Sequence, residues 1–140
     1  MPTGQFYPGQ VLDEAPIVCD NTLTTNKGIT AGGVAPTVAV GVGGGASWAG
    51  SITGLRGTDQ AATFTLNAGT ANTATGTAAT VVFGNPFATA PSAVVVDAAD
   101  TSGSGALSAG VSNITNLGFS IVTAAPTASH TYTVSYIMIH

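Results

Sequence analysis

Apart from its many hydroxyls, the 140-residue chain offers two histidines, one cysteine, six carboxylates and two cations for acid–base, nucleophilic or metal chemistry. His130 lies between Ser129 and Thr131, and His140 is the last residue. Neither has a Cys, His or Asp at ligand spacing, so both read as histidines on a strand edge at the surface. Cys19 stands alone, which excludes an intrachain disulfide. Its neighbour Asp20 has the wrong sign to lower a thiol pKa, and the residue reads as a small buried apolar group. Asp13 and Glu14 adjoin in sequence. On a strand they face opposite ways, which separates them as an acid–base pair.

Three further stretches invite a site and fail to specify one. "DAADTSGSG", Asp97 to Gly105, gathers carboxylates and hydroxyls. A calcium loop carries more carboxylates at tighter alternate spacing, so the stretch reads as a turn rich in Asp and Ser. "GVGGGA" lacks the Lys-Ser/Thr of a phosphate loop, and no helix follows it. "NIT" at Asn113 matches a glycosylation sequon, which has meaning only in a secreted chain. Trp48 could stack on a sugar but reads as core. The expectation is a protein without catalytic, cofactor or metal site, and not an enzyme.

The composition narrows the partners. Charged residues make up 6% of the chain, against roughly a quarter in ordinary soluble domains. The resulting surface is neutral, hydroxyl-bearing and short in side chain, which suits a protein locked into a larger assembly. The net charge is −4, and Lys27 and Arg56 are the only cations. Nucleic-acid binding needs a basic cluster to displace counterions, so it is not expected. The start lacks the basic and apolar regions of a signal peptide. The uncharged run 28–50 is long enough to span a membrane, but its glycines and Pro36 make it a poor helix. Cytoplasmic synthesis and no membrane partner are expected.

What would position any functional residue is β-structure. No window keeps an apolar stripe at helical spacing. "AATFTLN" (61–67) alternates, with Ala62, Phe64 and Leu66 inward. "ATVVFG" puts Ala79, Val81 and Phe83 on one face. "SAVVVDAA" holds Val94, Val95 and Val96 in a run that predicts burial on both faces. "ALSAGVSNI" is a weaker strand, "LGFSIVT" groups Leu117, Phe119 and Ile121, and "HTYTVSYIMIH" closes the chain. In that last strand Tyr132, Val134, Tyr136 and Met138 share one face. Thr131, Thr133, Ser135, Ile137 and Ile139 share the other, because side chains alternate with a period of two. About six strands fall between residues 50 and 140. The fold expected is all-β, an antiparallel β-sandwich of jelly-roll-like form with an extended N-terminal arm. The arm or small β-module covers residues 1–45, with "GGG" at 43–45 as a flexible joint, and the sandwich covers 46–140. Many alanines make a thin core. Burial of Ile137, Ile139, Val94 and Val96 between subunits would thicken it.

The Gly-Thr-Asp opener before a Thr-rich strand (57–65), "VVFGNPFATAPSAVVV" (81–96), and a "GF" strand leading to a terminal Tyr-x-x-x-Tyr-Ile strand carry a resemblance. Over residues 50 to 140 the chain resembles a β-sandwich module of tailed-bacteriophage virion proteins: head decorations, head fibres and tail-fibre tips. The resemblance implies a non-enzymatic, usually trimeric structural protein on the virion, attached through its N-terminal segment and synthesised in the host cytoplasm. The reading that follows is a capsid decoration or cement protein. It would be anchored on the major capsid protein by Phe6, Tyr7, Val11, Leu12, Ile17 and Val18, with Ile137 and Ile139 at trimer contacts. The alternative is a receptor-binding head- or tail-fibre tip that adsorbs to host glycans or surface protein through loops 97–105 and 124–130.

Overall fold

A computed structural model describes residues 33–47, 49–71, 73–103 and 106–139. Thr, Val and Ala at alternating positions, punctuated by Gly, Pro and Asn, favour pleated segments closed by tight turns. Eight strands result: β1 (Thr37–Val40), β2 (Ser51–Gly57), β3 (Ala61–Asn67), β4 (Gly76–Val82), β5 (Ala93–Asp100), β6 (Ala109–Ser112), β7 (Gly118–Thr123) and β8 (Thr131–Ile139). One sheet has the order β1-β4-β7-β6 and the other β2-β3-β8-β5, and every pairing is antiparallel. The chain is thus the all-β antiparallel sandwich that the alternation predicts. No helix among the described residues is long and apolar enough to cross a membrane.

The core lies between the sheets, where Phe64, Leu66, Val134, Tyr132, Tyr136 and Met138 of one face Val81, Phe119 and Ile121 of the other. Its thickness comes from aromatic rings in edge-to-face and tilted contact. Phe87 meets Phe83 at 4.9 Å, Phe83 meets Phe119 at 6.0 Å, and Phe119 meets Tyr136 across the sheets at 5.0 Å. Both buried tyrosines satisfy their hydroxyls: Tyr136 Oη donates to the Thr58 carbonyl (3.2 Å), and Tyr132 Oη accepts from the Thr127 N–H (2.9 Å). Burial, with Asp59 nearby, holds the Tyr136 phenol well above its ordinary value.

The residues that carry the sequence resemblance are joined in space. Gly57 (φ 118°) opens the β2–β3 turn, where a Cβ would collide with the Ala61 carbonyl. Asp59 follows, only 3% exposed. Its two carboxyl oxygens accept the N–H groups of Gly84 (2.8 Å) and Asn85 (3.0 Å), and its own N–H donates to the Val34 carbonyl (2.8 Å). One side chain therefore ties a turn of the sheet β2-β3-β8-β5 to the loop leaving β4 in the other sheet and to the incoming chain.

Several expectations change. β1 and β2 were not foreseen, and the sandwich takes in residues from Thr37 onward, upstream of the expected boundary at 46. The "GGG" stretch is a packed turn: Gly43, Gly44 and Gly45 are buried, and the Gly43 and Gly44 carbonyls accept from Ala74 (3.2 Å) and Gly69 (3.0 Å). The valine run of β5 is not buried on both faces, because β5 is an edge strand with one face in solvent; Val95 is 56% exposed. Leu117 is also 56% exposed and does not join Phe119 and Ile121. Leu117 lies in the bend that precedes β7, so the alternation of the strand, which starts at Gly118 against the Val81 carbonyl, does not extend to it. The predicted arm, with Cys19, Asp13 and Glu14, falls outside the described residues, as do Trp48 and His140.

Substituting Asp59→Asn keeps the shape but turns an acceptor into an amide donor against a backbone N–H. Leaving a buried donor unpaired should cost about 1–3 kcal/mol. Urea unfolding should show a lower midpoint with an unchanged slope.

Candidate interaction surface

The functional surface of a sandwich is whatever its outward faces and end loops present. On the sheet β2-β3-β8-β5 the outward face divides along its length. Toward the Asp59 end, Val95, Ile137 and Ile139 are each more than half exposed (56%, 55% and 54%). They adjoin, since Val95 pairs with Ile137, and Ile137 in turn pairs with Ala61 of β3. Ala93, opposite Ile139, extends the patch. Toward the other end the same face carries hydroxyls and amides. Ser135 Oγ donates to Thr63 Oγ1 (3.0 Å), and Asn67 Nδ2 donates to Ser51 Oγ and Thr53 Oγ1 (3.2 Å each). Thr131 Oγ1 donates to Asn67 Oδ1 at 3.4 Å.

Of the four residues predicted for subunit contact, Ile137 and Ile139 do lie outward. Val94 and Val96 point the other way, half-buried against the core, and the outward member of the run is Val95. The predicted anchor residues Phe6, Tyr7, Val11, Leu12, Ile17 and Val18 lie outside the described residues. The chain enters the described fold at Val34, bonded to Asp59. Thus entry point and apolar patch share one end. The other sheet exposes Val82 and Leu117 beside an open groove of about 350 Å3, lined also by Thr80, Asn113 and Ser120.

The opposite end, about 20 Å away by strand rise, holds a cluster of titratable side chains that sequence spacing concealed. His130 Nδ1 lies 2.8 Å from Asp100 Oδ2, although thirty residues separate them. Asp100 Oδ1 accepts the Ser102 N–H (2.9 Å), the Gly103 N–H (2.9 Å) and the Ser102 hydroxyl (3.2 Å). Ser102 Oγ in turn accepts the Thr131 N–H at 2.7 Å. The hydrogen bond from His130 is the main reason the Asp100 carboxyl is held below its ordinary value; burial opposes it, and the Ser102 and Gly103 N–H groups reinforce it.

Asp, His and Ser here are not arranged for nucleophilic attack. A hydroxyl is activated by bonding to the base, whereas Ser102 bonds the carboxyl and a backbone amide. The cluster locks the loop after β5 onto the start of β8. The Asp-Ser turn was legible in "DTSG", but its histidine partner was not. No group of three His, Cys, Asp or Glu stands together among the described residues.

Compared with known proteins, the chain matches no family model, no curated protein and no solved structure.

Because the folded Asp100 pKa is depressed, its contribution to stability is present above the ordinary 3.8 of an aspartate and lost as pH falls through the lower folded value. Asp100→Asn should therefore destabilise the fold at neutral pH, and the gap from the parent should close in strong acid. Thermal unfolding of both proteins from pH 7 to pH 2 measures this.

Proposed function

We propose that this chain is a non-enzymatic structural protein of a tailed-bacteriophage virion. In this reading it is a capsid decoration or cement protein that acts as a homotrimer and bridges subunits of the major capsid protein. The observation that carries the reading is the polarity of the sandwich. Chain entry at Val34 and the apolar patch of Val95, Ile137 and Ile139 lie at one end. The hydroxyl-bearing half and the Asp100–His130 loops lie at the other. A body built this way docks by one end and displays the other.

The physical logic is that of a clamp. An apolar, nearly uncharged face gains by leaving water, and a chain with only 6% charged residues loses little solvation of ions when its surface is covered. The preceding segment, with Phe6, Tyr7, Val11, Leu12, Ile17 and Val18, would extend the contact across a seam between capsomers. Each interface would bury roughly 1,000 Å2 or more and resist expansion of the shell. The working location is the capsid surface.

A second reading, adsorption to host glycans or surface protein as a head- or tail-fibre tip, has in its favour the joined loops at the far end. Copy number in purified particles separates the two. A fixed, high ratio to the shell protein is expected for decoration. A few copies in multiples of three would favour the fibre tip, and absence from particles would overturn both. On the decoration reading, a chain lacking residues 1–32 should fold and associate with itself but fail to bind particles stripped of this protein.

A further inference from the structure

The four sheet edges are not alike. β1 and β6 are four residues each, and edges that short offer little to pair with. β2 is broken by a register shift between Thr53 and Arg56, has Gly54 at φ 63°, and exposes Arg56. Bulge and charge are the usual protections of an edge. β5 has no bulge: it runs eight residues in unbroken register with β8 and contains no cation and no proline, and its one exposed charge is Asp97, toward the far end.

Half of this edge is covered by the chain itself. Ala99 bridges Ala106, and the Leu107 N–H donates to the Ala98 carbonyl at 2.9 Å. That bond fixes the direction of the rest. Main-chain groups on a strand alternate between its two sides, so Val94 and Val96, in step with Ala98, direct their N–H and C=O away from β8. Among the described residues no hydrogen bond reaches them. At the near end the Ser92 N–H turns back to the Ile139 carbonyl (2.8 Å), and Pro91 has no N–H to offer. β6 of the other sheet runs alongside this edge, but no hydrogen bond joins it to Val94 or Val96; the window without hydrogen bonds is 93–97, with Val95 at its middle.

From this we infer that β5 pairs antiparallel with β5 of a second copy of this chain, about a two-fold axis through Val95. In that register Val94 of each copy faces Val96 of the other, and every free N–H and C=O in the window finds a partner. Centring the pair on Val94 or Val96 instead would oppose Ser92 or Ala98, whose groups are already engaged. The side chains agree with the central register. Val95 meets its counterpart on the outward face, and Asp97 faces Ala93, so no like charges are opposed. Val95 also leads into Ile137 and Ile139, and the two patches become one apolar stripe. No Lys or Arg lies on β5 or β8, so an acidic partner would find no counter-charge, whereas a second copy needs none. Val94 and Val96 thus enter a subunit interface through their main chains, while their side chains remain on the core.

The paired edge would span about 17 Å and falls short of the roughly 800 Å2 per partner of a tight complex. The dimer is accordingly concentration-dependent and forms where copies are crowded. This inference stands independently of the virion reading, and its symmetry differs from that of a trimer.

Sedimentation equilibrium of the full chain over a concentration series, with amide hydrogen exchange, tests it. A species of twice the 13.6 kDa chain mass should grow with concentration, and the Val94 and Val96 amides should become protected as it does. Val95→Lys places two ammonium groups face to face and should weaken association by at least roughly tenfold. An equimolar mixture of Val95→Lys and Val95→Glu should restore the dimer, a rescue that a misfolded variant would not give. A monomer at every concentration would overturn the inference. So would a monomer whose Val94 and Val96 amides are already protected, since another part of the same chain would then cover the edge. A trimer that survives Val95→Lys would place the contact elsewhere and overturn it too.

Discussion

The fold depends on a carboxyl group buried at one end of a sandwich that has almost no other charge to place. Asp59 lies in the turn of one sheet and accepts from two amides in the loop that leaves the other. Its own amide holds the entering chain. Sheets made of Ala, Val and Thr have short side chains, and short side chains define the distance between sheets poorly. A residue that joins both sheets at one end sets that distance. The Phe87–Phe83–Phe119–Tyr136 series then fills the space inward from it. Tyr136 belongs to both devices, since its ring meets Phe119 and its hydroxyl bonds to Thr58 beside Asp59.

β8 is the second organising element. Its order needs no neighbouring molecule, because it sits inside its own sheet between β3 and β5 and is paired along nearly its whole length on both sides. What it leaves unsatisfied is an outward face, apolar where it runs beside Val95 and hydroxyl-bearing where it runs beside Thr65 and Asn67. That division gives the molecule two chemically different ends. The Asp100–His130 lock, by contrast, closes the loops at the far end with bonds made inside the chain.

The gap between expectation and structure follows from what local sequence encodes. "AATFTLN" and "HTYTVSYIMI" alternate so strictly that strand, inward face and outward face could all be read from them. "SITGLRG" and "TVAV" could not. In β2 the glycine and the register shift interrupt the period, and β1 is too short to show one. The glycines at 43–45 looked like a joint because glycine permits both mobility and close packing, and only their neighbours decide which. Leu117 fits the alternation of β7 on paper, but it lies in the bend that precedes the strand. Val94 and Val96 were placed in an interface by their hydrophobicity. Their side chains serve the core, and only the edge position of β5 leaves their main-chain groups open.

The sequence by itself determined the class of fold, the inward set of the long strands and the poverty of charge, since these follow from period, propensity and composition. It also marked the Gly-Thr-Asp turn and the "FGNPF" stretch, though not that they touch. Tertiary structure alone decided that Asp59 reaches residues 84 and 85, that His130 meets Asp100, and which strands become edges. Each of these is a contact between residues 25 or more positions apart, or a consequence of strand order. A local pattern fixes which face of a strand is apolar. It carries no information on which strand comes to lie beside it, because that is settled by the packing of the whole chain.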